Sequence, residues 1–244
     1  MIRSAKKYTT QYAVAIMGRI YHYRLALRGY KAVRHPYNLL DIDPESIKYM
    51  ISSSKFGTSV PTFGVVDGDW DHRAYPFETN AVYDMFERHF INEVPWEETE
   101  TYKKRVAQLK NGNPVPELDA ADQSIEKYDK YLQKWDEIYK DMEENGYRRY
   151  DERERNDDFI GRVQTPLSEI EVLIGRDGKI ICKSGKHRVT CAKLLGINRV
   201  PARVIVRHAR WQEIREEVSN HGSKKELPEK LSQYENHPDL TDVI

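Results

Sequence analysis

The sequence predicts an α+β fold with a block of helices in its middle and a further helix at its amino terminus. Two observations lead to this class. Residues 169–208 follow the order strand, turn, strand, glycine loop, helix, strand, which makes a compact α+β unit. Residues 78–145 carry apolar side chains at the three- and four-residue intervals of amphipathic helices.

The composition excludes several classes of protein. The chain has 244 residues with 39 Lys and Arg against 39 Asp and Glu, so its formal net charge is zero. That balance argues against a protein that coats nucleic acid by bulk charge. The two cysteines, Cys182 and Cys191, exclude a disulfide scaffold and a four-cysteine zinc site. The longest early apolar run, residues 13–17, is too short for a signal-peptide core or a membrane span, so we expect a cytoplasmic protein.

The net charge is zero because basic and acidic segments of the chain cancel each other. Residues 1–35 contain eight basic residues and no acidic one, and residues 176–211 contain ten basic residues and one acidic. Residues 116–158 contain fifteen acidic and eight basic residues. A basic block indicates an anionic partner only if its charges converge on one surface.

The amino-terminal segment is predicted to form a basic, aromatic helix. Its large side chains recur every three or four residues, at Tyr8, Tyr12, Ile16, Ile20, Tyr23 and Leu27. Packing on the body of the protein is the simpler interpretation, because this spacing suits core burial. The alternative is peripheral contact of residues 1–35 with an anionic membrane surface.

The next elements are short. Leu40 and Ile42 alternate with polar neighbours as in a strand, and Asp43 before Pro44 is typical of a capped helix start. Residues 57–70 mix glycine, proline and β-branched residues and indicate loop and strand. Three helices are then predicted over 78–90, 96–109 and about 123–145, the last of them with a solvated acidic face and Gly146 as its cap.

The last third changes character. Strands are predicted over 169–174 and 179–182, and Gly175-Arg176-Asp177-Gly178 is a hairpin signal between them. A helix over 189–195, a strand over 201–206 and a final helix over 208–218 follow. The tail from residue 220 onward is polar and proline-punctuated, and we expect it to be loosely held.

The segment with the sharpest chemical content is the loop Ser184-Gly185-Lys186-His187-Arg188. It leads into a helix, whose first amide hydrogens and dipole favour an anion. Three cationic residues at that position oppose the dipole unless an anion lies between them. The loop therefore predicts a phosphate-binding site.

This loop carries a resemblance to a known family. GKHRVTCAKLLG from Gly185 to Gly196, followed by VPARV from Val200 to Val204, resembles the core of the ParB/sulfiredoxin superfamily. Members of that family bind ATP or CTP phosphates through this loop, and a free-serine kinase is a distant relative. The strong similarity covers about 169–208, and a weaker one covers LDIDP at 40–44.

The resemblance implies a mixed-sheet domain of the ParB/sulfiredoxin type that is split by a large helical insertion. The implied divisions are an N-terminal helix at 1–36, a split domain at 37–72 and 146–219, an insertion at 73–145 and a polar tail at 220–244. A wider pattern is similar to uncharacterised stand-alone ParB-like proteins and implies that its segments surround one site. These segments are 68–71, 95–99, 145–147, 174–178 and 206–212.

Some residues of this chain differ from the family pattern, and these differences exclude two of the family's activities from what we expect here. Lys186 stands where sulfiredoxins have their nucleophilic cysteine, so sulfiredoxin activity is not expected. His187 replaces the first Arg of the partition-protein box, and only about twenty-five residues follow the final helix, too few for a helix-turn-helix domain. A partition role is therefore not expected.

The function expected from the resemblance is a nucleotide-binding protein that transfers phosphate from ATP or another nucleoside triphosphate, with Mg²⁺, to a hydroxyl group of a small molecule or glycan. The phosphates would lie on Ser184 to Arg188. Arg207 and His208, at a strand end beside the loop, would add a second cationic contact.

The catalytic residues expected for this transfer are Asp69, Asp71 and His187. The two aspartates would supply the base or hold Mg²⁺, and His187 with Arg188 would stabilise the charge on the transferred group. Equally well, Asp69 and Asp71 could cap a turn around Trp70. The functional alternative is a non-catalytic nucleic-acid or nucleotide-binding module, although bulk nucleic-acid binding is disfavoured by the net charge.

Overall fold

A mixed sheet organises the chain in the computed structural model, which describes residues 16, 18–20, 22–27, 29–34, 38–52, 63–149, 169–221 and 227–244. Within these residues the sheet has seven strands. They are β1 (Leu40–Ile42), β2 (Tyr49–Met50), β3 (Gly64–Val66), β4 (Tyr75–Pro76), β5 (Ile170–Ile174), β6 (Ile180–Ser184) and β7 (Val200–His208).

The strand directions decide which residues can share a site. The order is β1-β7-β5-β6-β2-β4, and β3 pairs with β7 outside this path. Strand β5 runs parallel to β7 and antiparallel to β6. The carboxyl end of β6 therefore lies beside the amino ends of β5 and β7, and the β5–β6 turn lies at the opposite edge.

The helices are α1 (Ala81–Phe86), α2 (Glu100–Lys110), α3 (Ile125–Asn145), α4 (Lys186–Leu194), α5 (Ala209–His221) and α6 (Glu229–Ser232). Helices α1, α2 and α3 begin where Asn80, Thr99 and Ser124 accept hydrogen bonds from the first-turn amides. These caps place the starts of α1 and α2 a few residues later than predicted. A π-helical turn over Glu87–Ile91 continues α1.

The main hydrophobic core joins the sheet to the predicted insertion. Phe86, Trp96 and Tyr128 from the helical block pack in the same buried cluster as the sheet residues Ile42 and Val172. A second, smaller cluster covers the other side of the sheet with Ile51, Trp70, Leu173, Ile181, Ile205 and Val206. The helices within residues 73–145, which were predicted to be an insertion, therefore share one core with the sheet.

The carboxyl-terminal tail corrects the prediction of a loosely held segment. Residues 227–244 include helix α6 and a 3-10 turn at Pro238–Leu240, and the side chains of Asp239 and Leu240 are fully buried. Asp239 receives hydrogen bonds from Arg207 and Trp211. A polar composition misled the prediction because the key polar residue is an internal ion-pair partner.

The amino-terminal helical segment is also different from the simpler prediction. Residues 16, 18–20 and 22–27 are helical, and Leu25 is buried. Ile16, Ile20, Tyr23 and Leu27, which were expected to pack on the body, are exposed. Tyr8 and Tyr12 lie outside the described residues. Among the described residues no helix is long and apolar enough to cross a bilayer.

Candidate functional site

The predicted phosphate loop forms as a tight strand-to-helix junction. Strand β6 ends at Ser184, Gly185 has a left-handed backbone with φ of 86°, and α4 begins at Lys186. A Cβ at Gly185 would lie 3.1 Å from Ile170 Cγ1 and 3.2 Å from Ile170 Cα, so this position favours glycine for two reasons. The helix starts three residues earlier than predicted, and Lys186, His187 and Arg188 form its first turn.

This junction opens on a cleft of about 520 Å³. The first backbone hydrogen bond of the helix runs from the Val189 amide to the Gly185 carbonyl oxygen. The preceding amides therefore have no acceptor within the helix. The register of β5 and β6 shifts here, which makes Lys183 the extra residue of a bulge. Bulges of this kind redirect a side chain beside a site. The cleft is lined by Met50, Ile51, Ser52, Lys183, Ser184, Gly185, Lys186 and His187.

Arg188 is held by two partners that the sequence analysis did not assign. Its Nη1 donates to the Tyr147 hydroxyl at 3.0 Å and lies 3.3 Å from Glu169 Oε2. The Tyr147 hydroxyl also donates to Glu169 Oε2, at 3.0 Å. The Glu169 side chain is 1% exposed, so its charge is compensated inside the protein. From the sequence, Glu169 was predicted only to be the first residue of a strand.

His187 packs against aromatic side chains and is not placed for the role predicted for it. Its ring stacks on Trp135 with centroids 4.9 Å apart, and its Nε2 and the Tyr131 hydroxyl share a hydrogen bond of 3.0 Å. Burial, together with the charges of Lys186 and Arg188, lowers the pKa of His187 to about 3. A neutral ring in an aromatic cluster carries no positive charge, so the structure does not support His187 as the cation that stabilises phosphate charge.

Asp69 and Asp71 do not join the loop either. Both accept from the Nη2 of Arg176, at 2.8 and 2.7 Å, and the Arg176 backbone amide donates to Asp71 at 2.9 Å. Burial opposes ionisation of Asp71, but the hydrogen bonds and charge of Arg176 lower its pKa to about 2. Arg176 belongs to the β5–β6 turn, and the five residues of β6 separate that turn from Gly185 by roughly 16 Å. The structure therefore contradicts their predicted place beside the loop. It does not show them capping the turn around Trp70 either, because Asp69 makes no side-chain cap hydrogen bond and both carboxylates bind Arg176.

Arg207 and His208 lie at the same distant edge. Arg207 pairs with Ile174, the last residue of β5, so it is level with the β5–β6 turn. Its guanidinium is engaged by the buried Asp239, and His208 Nε2 donates to the Gly68 carbonyl at 2.9 Å. The predicted second cationic contact beside the loop is wrong, because parallel β7 carries its carboxyl end away from Gly185.

The wider resemblance pattern therefore divides between two edges of the sheet. Tyr147 lies beside the predicted phosphate loop, at the carboxyl end of β6. Residues 68–71, 174–178 and 206–208 meet at the opposite end of that strand. The second edge is held by ion pairs and by packing of Gly178 against Trp211. These ion pairs and packing contacts account for the positions of the residues at this end of the sheet.

The described residues do not provide a metal centre at the cleft. Among them no group of three or more His, Cys, Asp or Glu side chains could hold a metal ion. Glu169 is engaged by Arg188, and Glu171 forms an ion pair with Arg203. Arg176 engages Asp69 and Asp71 away from the cleft, so the described residues do not form there the Mg²⁺ site that was expected from these aspartates. Cys182 is buried, and burial raises the pKa of its thiol to about 12, so it is a poor nucleophile.

The fold and the loop define an α+β protein with a mixed sheet and a strand–glycine–helix junction. A scan against models of protein families finds no match, and searches of curated proteins and of solved structures find none either. Membership of the ParB/sulfiredoxin superfamily remains a prediction from the GKHR motif and its flanking elements.

Proposed function

We propose that this protein binds a nucleoside triphosphate with its phosphates at the amino end of α4, and transfers phosphate to a hydroxyl group of a small molecule or glycan. The observation that carries the proposal is the junction at Gly185, which places backbone amides and two lysines, Lys183 and Lys186, at one cleft. ATP or another triphosphate is the expected ligand class.

The cleft suits this ligand in size and charge. Its volume of about 520 Å³ is within the range of small-molecule sites, which is roughly 300–1,000 Å³. The lysines supply positive charge, and the first-turn amides of α4 supply hydrogen-bond donors directed along the helix axis. A cation in the first turn of a helix opposes the helix dipole, and a bound phosphate would reverse that cost.

Each residue at the junction would contribute to phosphate binding in a different way. Lys183 and Lys186 would contact phosphate oxygens with their ammonium groups, and Ser184, which is exposed, would donate its hydroxyl. Arg188 would act from a fixed position, since Glu169 and Tyr147 hold its guanidinium. His187 would contribute by packing the start of α4 on the helical block.

The test is equilibrium binding of ATP, CTP, GTP and UTP to the full chain by calorimetry, comparing Lys186→Ala with Lys104→Ala. Lys104 is an exposed lysine of α2 and provides the matched control. Loss of one charge-assisted contact to phosphate costs about 1.5–3 kcal/mol, so Lys186→Ala should bind about 10- to 100-fold more weakly. Equal affinity of the two variants would refute the site.

The variant Arg188→Ala is a poor test of the same site. It would leave Glu169 buried without its cationic partner, and breaking such a pair costs about 3–5 kcal/mol of stability. A loss of binding could then reflect unfolding. Arg188→Lys retains the charge and is the better variant, with thermal unfolding measured beside binding.

A non-catalytic nucleotide-binding module is the second candidate. It is favoured by Asp69 and Asp71, which bind Arg176 at the other end of strand β6 from the cleft, and by His187, which lines the cleft but stacks on Trp135. Incubation with the bound nucleotide, with and without hydroxyl acceptors, separates the two candidates. Release of the nucleoside diphosphate supports transfer or hydrolysis, whereas tight binding without product supports the module.

A further inference from the structure

The described residues of the amino-terminal helical segment present an apolar surface to solvent. We call this surface the apolar stripe, and its residues are between 48 and 84% exposed: Ile16, Ile20, Tyr23 and Leu27. At 3.6 residues per turn these four positions fall within an arc of about 60°. Contiguous exposed apolar surface is unusual in a soluble monomer and marks an interaction site.

Basic residues border the apolar stripe on both sides. On the same helical wheel, Arg19 and Arg24 lie about 70° to either side of its midline, and both are exposed. The first 35 residues contain no acidic residue. An apolar stripe with an arginine on each side is complementary to a surface that is apolar inside and anionic at its boundary.

The opposite side of the helix is anchored to the body of the protein. Gly18 and Leu25 are buried on that side. Further along, Glu216 of α5 accepts from the backbone amides of Lys31 and Ala32, both at 3.0 Å. The apolar stripe is therefore the outer face of a helix that is already packed, and its exposure does not come from a detached segment.

We propose that the apolar stripe docks on an anionic lipid surface, with the helix lying in the plane of the membrane interface. Arg19 and Arg24 would meet lipid phosphates while the stripe enters the boundary of the acyl chains. A second copy of this chain is a poorer occupant, since pairing two stripes would bring these arginines against each other. The proposal does not depend on the nucleotide site.

The test uses the full chain and vesicles of phosphatidylcholine with or without phosphatidylserine, separated by sedimentation. The variant is Ile20→Ser with Leu27→Ser, and the matched control is Ile91→Ser, which removes another exposed isoleucine. The wild type should bind the phosphatidylserine vesicles, more weakly at high salt. The double variant should bind at least about tenfold more weakly, because each side chain loses its transfer into the apolar layer. The control should bind as the wild type does.

Three results would overturn the proposal. The wild type fails to bind the phosphatidylserine vesicles; the double variant binds them as well as the wild type does; or the wild type is a dimer by analytical ultracentrifugation and the double variant a monomer, which would assign the stripe to a second copy. Circular dichroism checks that the variant is folded. Leu27→Ser alone, at an 84% exposed position, serves if the double variant is not folded.

Discussion

Replacing Asp239 by Asn tests whether the carboxyl-terminal tail is part of the folded core. The side chain of Asp239 is 0% exposed. Its Oδ2 accepts from Arg207 Nε at 2.8 Å and from Trp211 Nε1 at 2.9 Å, and Arg215 Nη1 lies 3.6 Å away. The substitution keeps the shape of the side chain but removes the charge between two buried guanidinium groups.

The expected loss of stability is large. Removing one partner of a buried ion pair leaves an uncompensated charge and costs about 3–5 kcal/mol. Domains have total stabilities of about 5–15 kcal/mol, so the variant would lose a substantial fraction. Asp242→Asn is the matched control, because Asp242 contacts Arg215 but is 32% exposed. Water screens the charge of Asp242 in part, although its partner Arg215 is buried, so we expect a smaller loss of stability than for Asp239→Asn.

The assay is urea unfolding at pH 7, followed by tryptophan fluorescence and circular dichroism, with the free energy of unfolding taken from the midpoint and slope. A loss below about 1 kcal/mol for Asp239→Asn would refute the assignment of the tail to the core. Equal losses for Asp239→Asn and Asp242→Asn would refute the importance of burial.

The pH dependence gives the same prediction a second test. Burial disfavours the charged form of Asp239, but the charges and hydrogen bonds of Arg207 lower its pKa to about 2, below the ordinary 3.8. A lowered carboxyl pKa stabilises the fold above the unfolded pKa, and this contribution is lost as the pH falls through about 2. Unfolding free energies measured between pH 5 and pH 2 should therefore fall less steeply for Asp239→Asn than for the wild type.

Two further predictions concern single positions. Gly178→Ala should destabilise by about 2–4 kcal/mol, because Gly178 has φ of 84° and the new Cβ would lie 2.7 Å from Trp211 Cζ3. Gly112→Ala, with φ of 70° and open space around it, should cost only about 1–2 kcal/mol, and equal costs would contradict the reasoning. His187 should stay neutral from pH 8 to pH 5 in NMR spectra, because burial lowers its pKa to about 3. Its unfolded pKa is higher, so the fold loses stability as the pH falls from about 6.5 toward 3, and a ring titration near 6.5 would contradict the packing described.

Local patterns predicted much of the secondary structure. The strand at residues 169–174, the turn at 175–178 and the glycine before α4 all lie where the sequence predicts them, to within a residue. These features depend on neighbours in the chain, such as the left-handed backbone of Gly185. The short strands β2 and β4 were not predicted, because two residues cannot show a period.

The composition of the site could not be predicted in the same way. The sequence groups Asp69, Asp71, Arg207 and His208 with the loop by residue type alone. Antiparallel pairing of β5 and β6 separates them, because the turn and the loop lie at opposite ends of the same strand. Tyr147 and Glu169, which hold Arg188, come from segments that give no sign of a buried ion pair.

The sequence by itself determined the α+β class, the order of the main elements and the strand–glycine–helix junction with its cluster of positive charge. These depend on periodicity, turn chemistry and capping, which act within a few residues. Only the tertiary structure decided which polar residues meet. In the structure Asp239 and Glu169 are buried, His187 packs within an aromatic cluster, and the apolar stripe is exposed to solvent. The sequence could not predict these positions, because burial and charge compensation depend on contacts between distant segments.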